Sequence, residues 1–260
     1  MAKNQRAARI LLSSALIIVY NLIFYIILDW HIVPVIILDV VLWFMTLFYV
    51  CSASNMLIKK PIEEWQNNCD PYPFIKEIEA ILEYDKANKV SDPVHIINYC
   101  AALHETGEYQ KAVDILSTVN IDKQALLSVK EIYYHNLASS YHELGQYEVA
   151  DIFYGKALQV YHDMRDSKLK RSLSGNIEML KADNYFRLGE YQKALDVTNS
   201  SQALTKVQEI CRAYNSALIY LKLNDFENAK SKLLLVAENG NRLYIAEQAK
   251  KMLDEMNSEA

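Results

Sequence analysis

Four segments of this chain share one spacing: a turn residue, an aromatic residue two positions later, and an alanine three positions after that. The segments contain Gly107, Tyr109 and Ala112; Gly145, Tyr147 and Ala150; Gly189, Tyr191 and Ala194; and Asn224, Phe226 and Ala229. Glycine, and asparagine to a lesser degree, adopts the left-handed backbone conformation that often ends a helix. Each segment is therefore predicted to join two helices through a tight turn, with its aromatic residue packing back on the first helix.

The first helix of each predicted pair carries repeated positions of its own. A small residue stands seven positions before the turn and a tyrosine or leucine stands four before it, as Ala138 and Tyr141 do in the second pair. Small residues on facing helices, such as Ala138 and Ala150, allow the two helices to approach closely. The combination resembles the tetratricopeptide repeat (TPR) family of helical hairpins, which repeat about every 34 residues. The resemblance covers about residues 93–237 and implies an α-solenoid.

Repeat length and proline content indicate long helices. The four turn residues are 38, 44 and 35 positions apart, and the last 167 residues contain no proline. Extra helical length is therefore expected before the second and third turns, with Ser174-Gly175 as a candidate break. The predicted fold is all-α, with repeats at about 93–120, 121–164, 167–203 and 207–238 and a capping helix at 241–257, which together form an α-solenoid over 71–260.

The N-terminal part of the chain is far more apolar than the repeats. Only eight of the 42 residues in 10–51 are not apolar, which is length enough for two membrane spans of ~20 residues, about 10–28 and 33–51. Lys and Arg flank this stretch and are absent from its centre, so the tail 1–9, the linker 52–70 and the repeats are predicted to be cytoplasmic. The chain is thus interpreted as a multi-pass integral membrane protein with a transmembrane hairpin. A cleaved signal peptide is the alternative, although no small-residue cleavage site follows Leu28.

Two polar residues inside this predicted hairpin fall at equal depth. If the turn is centred near Trp30, Asn21 faces Asp39. A hydrogen bond between them would hold the two spans together. A proton or ion site is the alternative, and it lacks an intramembrane basic partner.

The chain is predicted to be non-enzymatic and to need no cofactor or metal. His104-Glu105 and His142-Glu143 begin like a zinc-protease motif, but each motif runs across a turn glycine and lacks its second histidine. Phosphate-binding loops and nucleophile motifs are also missing. After residue 51 the chain has 24 basic and 30 acidic residues, which disfavours nucleic acid as a partner.

The TPR resemblance implies a peptide groove lined by the first helices. Carried over by position, the candidate groove residues are Ile97, Ala101, His104, Ile132, His135, Ser139, His142, Met179, Asp183, Phe186, Arg187, Tyr214, Leu218 and Leu221. The Lys, Arg and Asn clamp of chaperone-binding members is missing, so an extended or helical segment with apolar anchors is expected. The alternative is that several of these side chains pack against the next repeat.

Two functions follow from these expectations. In the first, the chain is a membrane-anchored protein-protein interaction scaffold whose TPR groove holds an unknown protein or peptide partner at the cytoplasmic membrane face. In the second, it is an accessory subunit of a membrane transport or envelope-assembly complex, contacted through the hairpin. Fold analogy alone does not identify the partner.

Overall fold

Paired helices account for the fold of the computed structural model, which describes residues 40–45, 58–88, 92–121 and 125–258. Within these ranges there is no β-strand, and helical segments at 40–45 and 58–68 precede ten helices. The ten are α1 (Tyr72–Ala87), α2 (Pro93–Glu105), α3 (Tyr109–Leu116), α4 (Leu127–Glu143), α5 (Tyr147–Asp163), α6 (Lys168–Arg187), α7 (Tyr191–Ser200), α8 (Lys206–Lys222), α9 (Phe226–Asn239) and α10 (Tyr244–Ser258). The predicted all-α class with TPR-like repeats is confirmed.

The four predicted turns have the same hydrogen-bonded geometry. Gly107, Gly145, Gly189 and Asn224 all have positive φ angles, between 60° and 81°. At each turn the amide of the following residue donates to the carbonyl five positions earlier: Glu108 to Leu103, Gln146 to Tyr141, Glu190 to Tyr185, and Asp225 to Tyr220, over 2.9–3.0 Å. This bond satisfies a carbonyl that the end of a helix would otherwise leave unpaired. The left-handed turn residue and this hydrogen bond together end the first helix of each pair.

Small side chains lie between the two helices of each pair. The buried small residues are Cys100, Ala138, Ala182 and Ala217 on the first helices, and Ala112, Ala150, Ala194 and Ala229 on the second helices. Such side chains permit helix axes at the short end of the usual spacing of about 8–10 Å. A larger residue at any of these positions would overpack the pair.

Helix α6 is continuous through Ser174 and Gly175, so the candidate break at this pair is wrong. The Oγ of Ser167 caps the helix by accepting a hydrogen bond from the amide of Lys170 at 3.1 Å. Leu173, Ile177 and Leu180 are buried on one face of the helix. Their burial offsets the cost of glycine inside a helix, about 1 kcal/mol relative to alanine.

The segment before α1 contacts the beginning of α10, so the two ends of the described solenoid meet. Asn241 Nδ2 donates to the carbonyl of Asn68 at 2.8 Å, and the amide of Arg242 donates to the carbonyl of Cys69 at 3.2 Å. The guanidinium of Arg242 lies 3.3 Å from the Asp70 carboxylate and 4.0 Å from the centre of the Tyr72 ring. We refer to these contacts as the end closure.

Two aromatic residues extend the end closure into the core. Trp65 stacks on Phe74 at 5.1 Å between ring centroids and packs against the buried side chains of both the first repeat and the last repeat. Tyr244 lies against the turn at Gly107 and meets the Tyr109 ring edge-on at 6.0 Å. The first repeat is therefore in direct contact with the last helix.

The predicted localisation, a multi-pass integral membrane protein with a cytoplasmic N-terminus and cytoplasmic repeats, is contradicted. Among the helices in the described part of the chain, none combines the length and the apolar character needed to cross a bilayer. Apart from residues 40–45, both predicted spans, with Asn21 and Asp39, lie outside the described residues.

Candidate functional site

The first helices of the four repeats, α2, α4, α6 and α8, share one side of the solenoid, and solenoids of this kind present such a side as a concave surface. Glu143 at the end of α4 interacts electrostatically with Glu105 of α2, Asp183 of α6 and Tyr214 of α8. It interacts in the same way with Tyr109 at the start of α3 and with Cys211 of α8. A side chain that is close to all four repeats lies on the side that they share. We call the following six residues the inner cluster: Glu105, Tyr109, Glu143, Asp183, Cys211 and Tyr214.

The three carboxyl groups of the inner cluster are held towards their neutral form. Burial raises the pKa of Glu105 to about 7 and that of Asp183 to about 8, and repulsion from Glu143 adds to both increases. Burial also raises the pKa of Glu143. Cys211 Sγ donates a hydrogen bond to Glu105 Oε2 at 3.7 Å and partly offsets the rise at Glu105. The concave surface therefore gathers acidic groups in a setting that disfavours their charge.

Three histidines surround the inner cluster and are neutral at physiological pH. Burial lowers the pKa of His104 to about 3 and that of His135 to about 4, and it also lowers the pKa of His142. His104 Nδ1 lies 3.3 Å from Ser140 Oγ, and its ring meets the Tyr109 ring at 4.9 Å. A hydrogen bond to the backbone of Asn176 partly offsets the lowering of the His135 pKa, and one to the backbone of Asp183 does the same for His142. These contacts join α4 to α6.

The predicted groove residues divide between the concave surface and the core. Ile97 is not a groove residue, because it is only 2% exposed and packs in the first core cluster. Its carbonyl accepts a hydrogen bond from Asn136 Nδ2 at 3.1 Å, which ties α2 to α4. Ile132 packs against the same core cluster and is partly buried. The candidate groove residues that are half-buried on the first helices are Ala101, His104, His135, Ser139, His142, Met179, Asp183, Phe186, Arg187, Tyr214, Leu218 and Leu221.

Two predicted groove residues at the end of α6 are engaged by neighbouring side chains. Arg187 Nη2 lies 2.7 Å from Asp151 Oδ2 and 3.0 Å from Asn184 Oδ1. Phe186 meets the Tyr191 ring edge-on at 5.6 Å and packs in the core cluster of the third repeat. Arg187 therefore joins the second repeat to the third, and Phe186 supports the turn at Gly189.

Comparison with known protein families identifies the family to which the repeats belong. The family described as the SusR N-terminal TPR domain matches residues 83–249, which is more than half of the chain. The chain belongs to this TPR family. No curated protein and no solved structure matches the chain. TPR domains are protein-protein interaction domains.

Sequence reasoning missed three members of the inner cluster of this TPR domain: Glu105, Tyr109 and Glu143. Glu105 and Glu143 both stand two positions before a turn glycine. This shared position was a usable signal, because equivalent positions in successive repeats lie on the same surface. Tyr109 was assigned only a packing role at the turn, although it also contacts His104 and Tyr244.

The acidic and histidine side chains of the TPR domain do not form a metal site in the described ranges. No group of three or more His, Cys, Asp or Glu residues there is arranged to hold an ion. One further acid, Glu131 of α4, is 0% exposed and accepts a 3.5 Å hydrogen bond from Asn176 Nδ2. Burial raises the pKa of Glu131 to about 7. It lies between α4 and α6 and serves the contact between two repeats.

Proposed function

We propose that this TPR domain is an interaction scaffold that holds an extended segment of a partner protein on its concave surface. The observation that carries the proposal is the convergence of half-buried side chains from the first helices of all four repeats around Glu143. Membership of a TPR family supports it, since repeat solenoids use such concave surfaces for binding.

The chemistry of the concave surface favours apolar anchors over a bound C-terminal carboxylate. Tyr214 and Leu218 of α8 are half-buried and offer aromatic and aliphatic contact area. Arg187, one helical turn after Asp183 on α6, already pairs with Asp151. A carboxylate would also face the acidic groups of the inner cluster. Anchor side chains in half-buried pockets are the usual source of affinity in such interfaces.

A photo-crosslinking experiment tests this proposal. The photoreactive amino acid p-azidophenylalanine replaces Tyr214, because its single para-substituted ring is close in size to the tyrosine ring. The control places it at Ile152, an exposed residue of the second helix α5. We expect irradiation in the cells that make the protein to yield a discrete adduct of higher mass from position 214 and none from position 152.

The opposite result would contradict the assignment of the concave surface as the binding surface. Adducts from position 152 with none from position 214 would place the partner on the second helices instead. Equal adducts from both positions would indicate non-specific contact rather than a groove.

A further inference from the structure

The turns along one edge of the solenoid differ in what covers them. At the first turn, a Cβ atom on Gly107 would lie 2.7 Å from Cγ of Tyr244, so the ring of Tyr244 covers this turn. The same ring meets the Tyr109 ring edge-on at 6.0 Å. At Gly145 and Gly189, a Cβ atom would meet nothing within 4 Å among the described residues. The second and third turns are therefore open where the first turn is covered by an aromatic ring.

Apolar side chains are exposed beside the open turns. Leu188 is 57% exposed and Phe226 is 56% exposed, and Tyr147 and Leu223 are also exposed. Equivalent positions in successive repeats lie on the same surface. The Arg187 guanidinium, 5.9 Å from the centre of the Tyr147 ring, joins the second and third repeats directly at this edge. We call the following six residues the turn edge: Gly145, Tyr147, Leu188, Gly189, Leu223 and Phe226.

The turn edge offers both parts of the contact that Tyr244 makes at the first turn. Gly145 provides an open turn that can receive a ring, and Phe226 provides an exposed ring. These two residues belong to the second and fourth repeats, and the third repeat separates them within one molecule. A two-fold axis through the third turn would bring Phe226 of each copy to Gly145 of the other copy. Such an axis also places Leu188 of one copy against Leu188 of the second copy.

The charges beside the turn edge are complementary under the same two-fold axis. Glu148 of the second repeat and Lys222 of the fourth repeat are exposed, and neither takes part in an ion pair within the described ranges. The axis brings Lys222 of each copy to Glu148 of the other copy, so the pair forms twice. Asp225, at the fourth turn, is already engaged, because its carboxylate caps α9 by accepting from the amide of Asn228 at 3.2 Å.

We propose that the turn edge is an interface between two copies of this chain. Phe226 of each copy covers the turn at Gly145 of the other copy, as Tyr244 covers Gly107 within one copy. Six helix ends, each about 10–12 Å across, present roughly 600 Å² per copy, which is at the small end of the range for specific interfaces. The dimer is therefore expected to dissociate in the micromolar range. The concave surface takes no part in this contact, so the proposal goes beyond the proposed function.

Charge-swap variants of the full chain test the proposal. Lys222→Glu or Glu148→Lys alone would place like charges opposite each other, whereas both substitutions in one chain would restore the pair with its signs exchanged. The control Glu238→Lys reverses an exposed charge at the far end of α9, about 18 Å from Phe226. Sedimentation velocity over a range of concentrations measures the dissociation constant of the dimer, and circular dichroism verifies that each variant folds.

A second pair of variants tests the apolar centre of the interface. Leu188→Asp would place two carboxylates against each other at the two-fold axis. The matched control is Leu169→Asp, because Leu169 is 51% exposed at the opposite end of the same helix, α6. Both substitutions exchange an exposed leucine for an aspartate, so only a contact at the turn edge distinguishes them.

We expect the wild-type protein to form a dimer, and each single charge reversal and Leu188→Asp to raise its dissociation constant at least tenfold, an estimate of roughly 1.4 kcal/mol or more. The charge-swapped double variant should return to within about threefold of wild type, and both controls should match wild type. A wild-type protein that remains monomeric at about 200 µM would overturn the proposal and leave the turn edge to a different occupant. A dimer held by residues 10–51 or by another surface would show the same dissociation constant in all variants, and this result would also overturn it. A double variant that stays as weak as the single variants would do the same.

Discussion

Replacing Gly107 by alanine tests whether the end closure stabilises the whole fold. Gly107 has a φ angle of +81°, and a Cβ atom there would lie 2.7 Å from Cγ and 2.8 Å from Cδ2 of Tyr244. The Tyr244 ring would have to move away, and α10 would have to shift with it. Gly145 is the matched control, because its φ angle is +71° and a Cβ there would meet nothing within 4 Å.

The two substitutions share one cost and differ in another. Alanine in the left-handed region costs roughly 1–2 kcal/mol at either position. Only Gly107→Ala adds the overlap with Tyr244, and overpacking of this kind typically costs about 1–3 kcal/mol. We therefore expect the free energy of unfolding to fall by about 1–3 kcal/mol more in Gly107→Ala than in Gly145→Ala.

Urea denaturation followed by circular dichroism measures this difference. The double variant Gly107→Ala/Tyr244→Ala should recover part of the loss, because the substitution of Tyr244 removes the overlapping ring, and a double-mutant cycle isolates that coupling. The reasoning is refuted if the two glycine variants differ by less than about 0.5 kcal/mol. A cycle without coupling between positions 107 and 244 would refute it equally.

Two further predictions concern stability. Because the pKa of Glu131 is raised to about 7 in the folded state, its contribution to stability is complete below its unfolded pKa near 4.5 and is lost as pH rises through 7. Between pH 5 and pH 8, the free energy of unfolding should therefore fall by about 2–3 kcal/mol more in wild-type protein than in Glu131→Gln. Parallel pH profiles for the variant and the wild type would contradict this. Arg242→Ala should cost about 1 kcal/mol in urea denaturation, since it removes the contacts with Asp70 and Tyr72. Arg171→Ala, which removes only an exposed ion pair with Asp166, should cost less than about 0.5 kcal/mol, and equal losses would count against a role for the end closure.

The repeats could be predicted from the sequence because their determinants are local. A left-handed residue, an aromatic residue and an alanine within six positions specify each turn, and Gly107, Gly145, Gly189 and Asn224 adopt the predicted conformation. Gly175 is not followed by an aromatic residue and an alanine at this spacing, and the buried face of α6 determines its helical conformation instead.

The candidate site was less predictable because it depends on helix phase and on distant contacts. Successive residues of a helix point about 100° apart, so an error of one position moves a side chain from groove to core. Glu105 was missed in this way, one position after the predicted groove residue His104. Ile97 shares a helix face with Ala101 and His104, but it is buried in the first core cluster. The approach of Cys211 to Glu105 joins residues 106 positions apart, and no repeat pattern within a single helical hairpin encodes such a contact.

The end closure also has a consequence for how the solenoid folds. In an open array each repeat is stabilised only by its neighbours, so the terminal repeats fray first and the transition broadens as repeats are added. Here Asn68 and Asp70 contact Asn241 and Arg242 across more than 170 positions, so the two ends of the described solenoid hold each other. Fraying of either terminus therefore weakens the other, which makes the array cooperative around its circumference. Removing one repeat would separate these residues, so the end closure requires the present number of repeats.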